Sequence, residues 1–170
     1  KNLAGHPLKP LAPLVAPGYD PVNRTIVTTD DQEIADVSRN YGAEVPFLRP
    51  EELAQDDTRD LPVFQHALEW LKVQEGYIPD VVIQLRPTSP FRHPDLINQA
   101  VKVLVKHPDA SSVRGVVPSK QNPYKMWKVD PDGKMLPLLE IKQPEPFNMP
   151  RQELPPTYWQ TGHIDVIRTE

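Results

Sequence analysis

The sequence predicts an α/β fold, with a mostly parallel sheet covered on both faces and a β-hairpin excursion in its last third. Three observations carry that reading. Short β-branched or apolar runs (TIVTT at 25–29, DVVIQL at 80–85, SSVRGVV at 111–117) alternate with stretches of helical periodicity. Capping and stop residues fall at the seams between them. The segment KMWKVDPDGKMLPLL, residues 125–139, then changes character and reads as two strands around Asp130-Pro131-Asp132-Gly133.

In order along the chain, LKPLAPLVAPGYDP at 8–21 comes first, and Pro10, Pro13 and Pro17 exclude one regular helix there. TIVTT is the first buried strand. Asp30-Asp31-Gln32-Glu33 supplies an N-cap with an acidic residue three positions on, a capping-box arrangement. Ile34, Val37 and Tyr41 share one face of the helix that follows, and Gly42 stops it. EVPFL at 44–48 reads as a second strand.

A second helix is predicted from Leu61, Phe64, Leu68 and Leu71, with Pro62 tolerated in its first turn and Gly76 closing it. DVVIQL is the third strand. Pro94 opens a third helix, with Leu96, Ile97, Ala100, Val101 and Leu104 as its buried stripe, and Pro108 ends it before SSVRGVV. After the hairpin, a proline-rich loop at 144–156 leads into a last strand, HIDVI at 163–167.

Bulk properties narrow the function classes. The 170 residues, 38% apolar and 25% charged, fit one globular domain with a sizeable core. A formal charge of −4 with scattered Lys and Arg argues against a general nucleic-acid or anionic-membrane binder. With no cysteine, disulfides and thiolate metal sites are excluded, and a reducing cytoplasm is the default setting. The five histidines show no ligand-pair spacing, which speaks against a zinc site. The 22 prolines punctuate elements and do not form a low-complexity linker.

One stretch calls for a ligand. In VVIQLRPTSPFR, residues 81–92, an apolar strand ends in Arg86, Thr88, Ser89 and Arg92, stiffened by Pro87 and Pro90. Ligands of open α/β sheets bind beyond the carboxyl ends of the strands, which is where these groups fall. By position alone they either hold a ligand or cap the next helix.

Five segments then resemble the acylneuraminate cytidylyltransferases, the CMP-sialic acid synthetases and their relatives. These are KNLAGHPL, IVTTDDQEIADVSRNYGAEVPFLRPEELAQDDT, VVIQLRPTSPFR, NPYKMWKV and RQELPPTYWQTGHIDVI. They run in family order over nearly the whole chain. The resemblance implies a Rossmann-like three-layer nucleotidyltransferase fold, a single cytidylyltransferase-like domain over 1–170, and an excursion near 118–158 that reaches toward the partner subunit of a homodimer. It implies CTP and an acidic 2-keto sugar as substrates, a CMP-sugar and pyrophosphate as products, and Mg²⁺ as cofactor. Such a transfer rests on positioning and charge neutralisation more than on covalent help from the protein.

The resemblance also assigns roles. Lys1 and Asn2 match the Lys-Asn that closes the nucleotide-binding loop, and Arg49 an arginine that contacts the nucleotide; Asp57 and Thr58 match the pair after it. Arg86, Thr88 and Ser89 fall on the sugar side with Thr161, and Lys125 and Arg151 match cations on the sugar-acid and phosphate side. Lys1, Arg49 and Arg86 are thereby the candidate catalytic cations. Ordinary alternatives stand beside these roles: solvated surface for Lys1, Lys125 and Arg151, a surface position before a proline turn for Arg49, a loop or helix cap for Asp57. For Asp30 and Asp31, helix capping is favoured over metal binding.

Three departures shape the expectations. The family begins earlier, with a strand and a glycine/serine/lysine-rich loop, and ends later, with acidic Mg²⁺ ligands. The 170-residue chain by itself is therefore expected to be inactive. The 8–21 segment does not suit the family's first long helix. Arg86 stands where many sialate enzymes have glutamine, and Thr161, His163 and Asp165 replace parts of an N-G-A-I-Y stretch, which predicts an acidic sugar other than N-acetylneuraminate. The competing expectations are a related nucleotidyltransferase for another nucleotide or sugar, and a catalytically silent binding domain.

Overall fold

The computed structural model describes residues 22–93, 95–139 and 145–170, and the backbone alone of 2–3 and 6–7. Two compact units emerge, Lys1–Arg114 with Gly162–Glu170, and Gly115–Thr161. The proline-rich segment 8–21 and Pro94 lie outside the described residues.

In the first unit, β1 (Asn2–Leu3) pairs antiparallel with β2 (His6–Pro7). Residues 25–29 and 44–49 run side by side: Ile26 and Glu44 form a parallel bridge, Val27 N donates to Glu44 O, and Arg49 N donates to Thr29 O. Between them lies α1 (Gln32–Asn40), capped by Asp31, whose carboxylate accepts from Ile34 N at 3.0 Å. Gly42 follows its end with φ +83°, a conformation that costs glycine nothing. The most buried helical residues are Ala35 and Ser38, one turn apart.

Helix α2 (Asp60–Glu75) ends at Gly76, which takes φ +64° and donates its N–H to Lys72 O. The expected stripe is shifted, because Val63 and Leu71 are buried while Leu61 is exposed. Leu61 sits in the first turn, where the apolar face has not yet reached its cover.

β3 (Val81–Gln84) pairs antiparallel with β7 (Tyr158–Arg168), with Val81 opposite Arg168 and Gln84 opposite Asp165. In this three-stranded sheet β7 lies between β3 and β4 (Ser112–Pro118). Helix α3 (Leu96–Lys106) lays Ile97, Ala100 and Leu104 against Ile164 and Val166 of β7 to form the buried cluster. Arg168 donates to Leu104 O at 2.9 Å and Ala110 O at 3.0 Å, a cation at the carbonyl end of α3 where the helix dipole favours it.

The mostly parallel sheet expected from the sequence is corrected here. The registered ladders among the described residues are antiparallel, and the parallel pairing is the bridge at Ile26. An apolar run reports burial on both faces but not direction. The direction is set by β7, which returns from the end of the chain to pair with β3. TIVTT and EVPFL likewise meet at a bridge and do not form full strands.

The second unit holds the predicted hairpin, β5 (Trp127–Val129) antiparallel to β6 (Met135–Pro137). Asp130 sets its turn, accepting from the N–H groups of Asp132 and Lys134. Trp127 packs on Phe147 with ring centroids 4.6 Å apart. The proline-rich loop resolves, from residue 145, into 3₁₀ turns at Pro146–Asn148 and Arg151–Glu153.

Arg24 ties three parts of the first unit together. Its guanidinium bonds both carboxylate oxygens of Glu44, pairs with Glu75 at the end of α2, and lies 4.8 Å from the Tyr77 ring centroid. The hydrogen bond from Arg24 lowers the Glu44 carboxyl below its ordinary range, against the opposing effect of burial. A depressed carboxyl stabilises the fold above its unfolded value, and that contribution is lost as pH falls through the folded one. Arg24→Ala is therefore expected to cost about 1–2 kcal/mol near neutrality, or roughly 2–8 °C in Tm. In thermal melts the deficit shrinks as pH drops below about 4. An equal deficit at pH 3 and pH 7 would contradict the charge-based account.

Candidate functional site

The first unit contains a cavity of about 640 Å³ whose walls are residues 25–29, α2 and the end of β3. Its floor is apolar, with Val63, Leu68, Leu71 and Ile83 among the lining side chains. Its polar groups come from the segments that follow the strands: Asp30, Arg49, Thr58, Asp60, Arg86 and Thr88. An apolar body with a few convergent polar groups is the usual form of a small-molecule site.

Local backbone chemistry sets these groups in place. Arg49 sits beside the end of the 25–29 segment because its N–H donates to Thr29 O at 2.7 Å. Its guanidinium reaches Asp30 Oδ1 at 3.2 Å, while Asp31, one residue on, is taken up in capping α1. The Nε–H of Arg49 is buried without a hydrogen-bond partner, as is the hydroxyl of Thr28 on the same cavity wall. Unpaired buried donors cost about 1–3 kcal/mol each, so a ligand that accepted from them would gain accordingly.

Arg86 lies in a charge cluster. Residues 84 and 165 are directly opposed across the β3–β7 pair, which puts their side chains on one face. Arg86, two residues beyond Gln84, donates to Asp60 Oδ2 at 2.6 Å and to Gln84 Oε1 at 3.2 Å. It lies 3.6 Å from Asp165 Oδ2, and Arg114 Nε lies 2.9 Å from Asp165 Oδ1. Burial alone raises the Asp60 carboxyl, but hydrogen bonds from Gln84 and Arg86 and the charges of Arg86 and Arg114 together lower it. Gly162, at φ +68°, lies against Arg86: a Cβ there would touch Nη1 at 3.4 Å, and its backbone conformation favours glycine.

Arg92 serves the loop instead. It donates to His163 O at 2.7 Å and Arg86 O at 2.5 Å, and burial lowers its pKa. The cation of VVIQLRPTSPFR that faces the cavity is Arg86, while Arg92 staples the turn that carries it.

The other sequence-derived candidates distribute as follows. Lys1 lies outside the described residues, and Asn2 is described only as backbone of β1. Thr58 and Thr88 line the cavity with Arg49 and Arg86. Asp57 is exposed, and Ser89 closes the turn by donating its N–H to Arg86 O. In the second unit, Lys125 Nζ donates to Phe147 O at 3.0 Å, Thr161 Oγ1 donates to Gly115 O, and Arg151 is exposed at the start of a 3₁₀ turn.

Asp60, Arg114 and the carboxylate role of Asp165 were not legible beforehand. Asp60 reads as an ordinary first-turn helix acid, and Asp165 as one residue of an apolar strand. The available signal was Asp165 itself, a charge inside HIDVI that burial would force to find a cation. Among the described residues, no group of three or more His, Asp or Glu side chains is arranged to hold a metal ion. No helix of the described residues is long and apolar enough to cross a membrane.

Comparison with known proteins places this geometry in context. The cytidylyltransferase family profile matches residues 9–129. A CMP-N,N′-diacetyllegionaminic acid synthase of Legionella pneumophila is 34% identical over 134 residues, covering 79% of this chain and 56% of that protein. A pseudaminic acid cytidylyltransferase of Campylobacter jejuni is 33% identical over 85 residues, covering 50% of this chain and 36% of that protein. The chain thus spans little more than half of the first relative and about a third of the second. In fold, it resembles a solved CMP:2-keto-3-deoxy-manno-octonic acid synthetase complexed with CTP, with a TM-score of 0.64 over 99% of this chain and 66% of that one, at 16% identity.

Proposed function

Because the chain belongs to the cytidylyltransferase family, we propose that it transfers CMP from CTP to an acidic 2-keto sugar of the nonulosonate class and releases pyrophosphate. The observation that carries this reading is the pair of arginines, Arg49 and Arg86, on one cavity beyond the strand ends, with Arg49 Nε buried and unpaired. A triphosphate and a sugar carboxylate both need cationic donors, and guanidinium can meet either in bidentate fashion. The names of the Legionella and Campylobacter relatives support the sugar class.

In this reading Arg49 holds the nucleotide with Thr58, and Arg86 faces the sugar acid with Thr88. The sugar's anomeric hydroxyl attacks the α-phosphorus and gives up its proton to solvent, an oxygen–phosphorus bond forms, the bond from that phosphorus to the bridging oxygen breaks, and pyrophosphate leaves with that bond's electron pair. The protein's share is alignment and neutralisation of the charge on the phosphates. Mg²⁺ belongs to the proposal through the triphosphate, whose charge a divalent cation neutralises. A cytoplasmic setting and a homodimer complete it. Val129, Met135, Leu136 and Trp159, all exposed on the second unit, supply apolar surface of the kind subunit contacts use.

Pyrophosphate release by the full-length protein tests this directly, with CTP, GTP and ATP supplied separately alongside a nonulosonic acid. Release is expected with CTP and only when the acid is present. Turnover with GTP or ATP in preference to CTP would point to a different nucleotidyltransferase. Absence of turnover with every nucleotide would favour a silent binding domain.

A further inference from the structure

Arg86 is not presented to the cavity as a bare cation. It stands between two carboxylates of opposite character. Asp165 is 3% exposed, fixed in β7 and shared with Arg114 at 2.9 Å. Asp60 is 56% exposed, stands at the first position of α2 and holds the Arg86 guanidinium at 2.6 Å. Arg86 and Arg114 against Asp60 and Asp165 make the cluster neutral. A carboxylated ligand arriving at Arg86 would leave it with a surplus negative charge unless one aspartate withdrew. Asp165 cannot withdraw, because releasing it would strand a charge inside the sheet. Asp60 can, because its side chain opens to water, where an exposed ion pair is weak and the freed carboxylate is well solvated.

We propose that Asp60 is an internal stand-in for the substrate carboxylate: it occupies the outer face of Arg86 in the empty site and is displaced by a sugar acid, while Asp165 and Arg114 hold Arg86 in position. The inference rests on the functional reading above and adds a specificity device to it. A neutral sugar lacks the charge to displace Asp60, so the exchange selects for acids by competition as well as by attraction. Asp60 is thus a positioning and specificity residue and makes no bond to the reacting phosphorus.

The test compares wild type, Asp60→Asn and Asp60→Ser in the full-length protein, with N,N′-diacetyllegionaminic acid and its uncharged methyl ester as probes. Both variants remove the competing charge, and the serine keeps a residue tolerated in a helix's first turn should the amide disturb the fold. Each is expected to lower KM for the acid about 1.5- to fivefold, the range for loss of one exposed competing pair, with kcat moving less than KM and the ester affected less than the acid. An unchanged or raised KM for the acid, or an equal shift for acid and ester, would overturn the stand-in role. Binding of the same two probes by calorimetry gives a readout independent of turnover. If wild type fails to turn over CTP, the transferase reading fails, while a tighter acid-to-ester binding ratio in the variants still supports the exchange and an unchanged ratio still overturns it.

Discussion

Arg49→Ala is expected to raise KM for CTP about 30- to 150-fold, the loss that follows from removing a charge-assisted contact worth about 2–3 kcal/mol. The effect should fall on the nucleotide, leaving KM for the sugar acid within a few-fold. Arg49 is singled out because it combines a charged group, a place on the cavity wall and a buried Nε–H without a partner. Its pairing with Asp30, which is 48% exposed, contributes little to stability, so the variant should fold with Tm close to wild type. Arg49→Lys should recover only part of the loss, since an ammonium cannot reproduce the planar fork. Steady-state kinetics with CTP as the varied substrate checks the expectation, and an unchanged KM for CTP in Arg49→Ala would remove Arg49 from the nucleotide site.

Leu104→Ala is expected to have the largest effect on stability, about 3 kcal/mol within the 2–5 kcal/mol range for such truncations. Leu104 is 0% exposed and packs with Ile97, Ala100, Ile164 and Val166 between α3 and β7. Its carbonyl also accepts from Arg168, which restrains the backbone and limits collapse into the space left behind. At roughly 2–4 °C per kcal/mol, Tm should fall by about 6–12 °C. Chemical denaturation should show a lower midpoint with an unchanged m value. A loss below about 1 kcal/mol would mean that the α3–β7 contact is not the centre of the first unit's core.

How much of this could be read beforehand follows from what local sequence encodes. A cap within Asp30-Asp31, Gly42 and Gly76 as stops, the α3 stripe and the Asp130 turn were legible because each depends on residues within a few positions. The expected capping box is nevertheless one residue off: Asp31 caps and accepts from Ile34 N, while Asp30 pairs with Arg49. The antiparallel pairing of β3 with β7 was not, because it joins residues more than 70 positions apart and an apolar run carries no direction. The same limit governed the site. Arg86 stood out as a cation at a strand end and Arg49 through the family resemblance, but their partners are set by tertiary pairing: Asp30 meets Arg49 through the 25–29 and 44–49 contact, and Asp165 faces Gln84 only once β7 has docked. Arg92 was left open between two roles because a cation after a strand serves a loop as readily as a ligand, and its bonds to His163 O and Arg86 O assign it to the loop.

A crystal structure of the full-length protein with a cytidine nucleotide and a nonulosonic acid bound tests the central claim most directly. The account predicts both ligands at the cavity of the first unit, with Arg49 in hydrogen-bond contact with the nucleotide and Arg86 with the sugar carboxylate. Ligands bound elsewhere, or bound at the cavity with both guanidinium groups still turned to Asp30 and Asp60 and touching neither substrate, would contradict it.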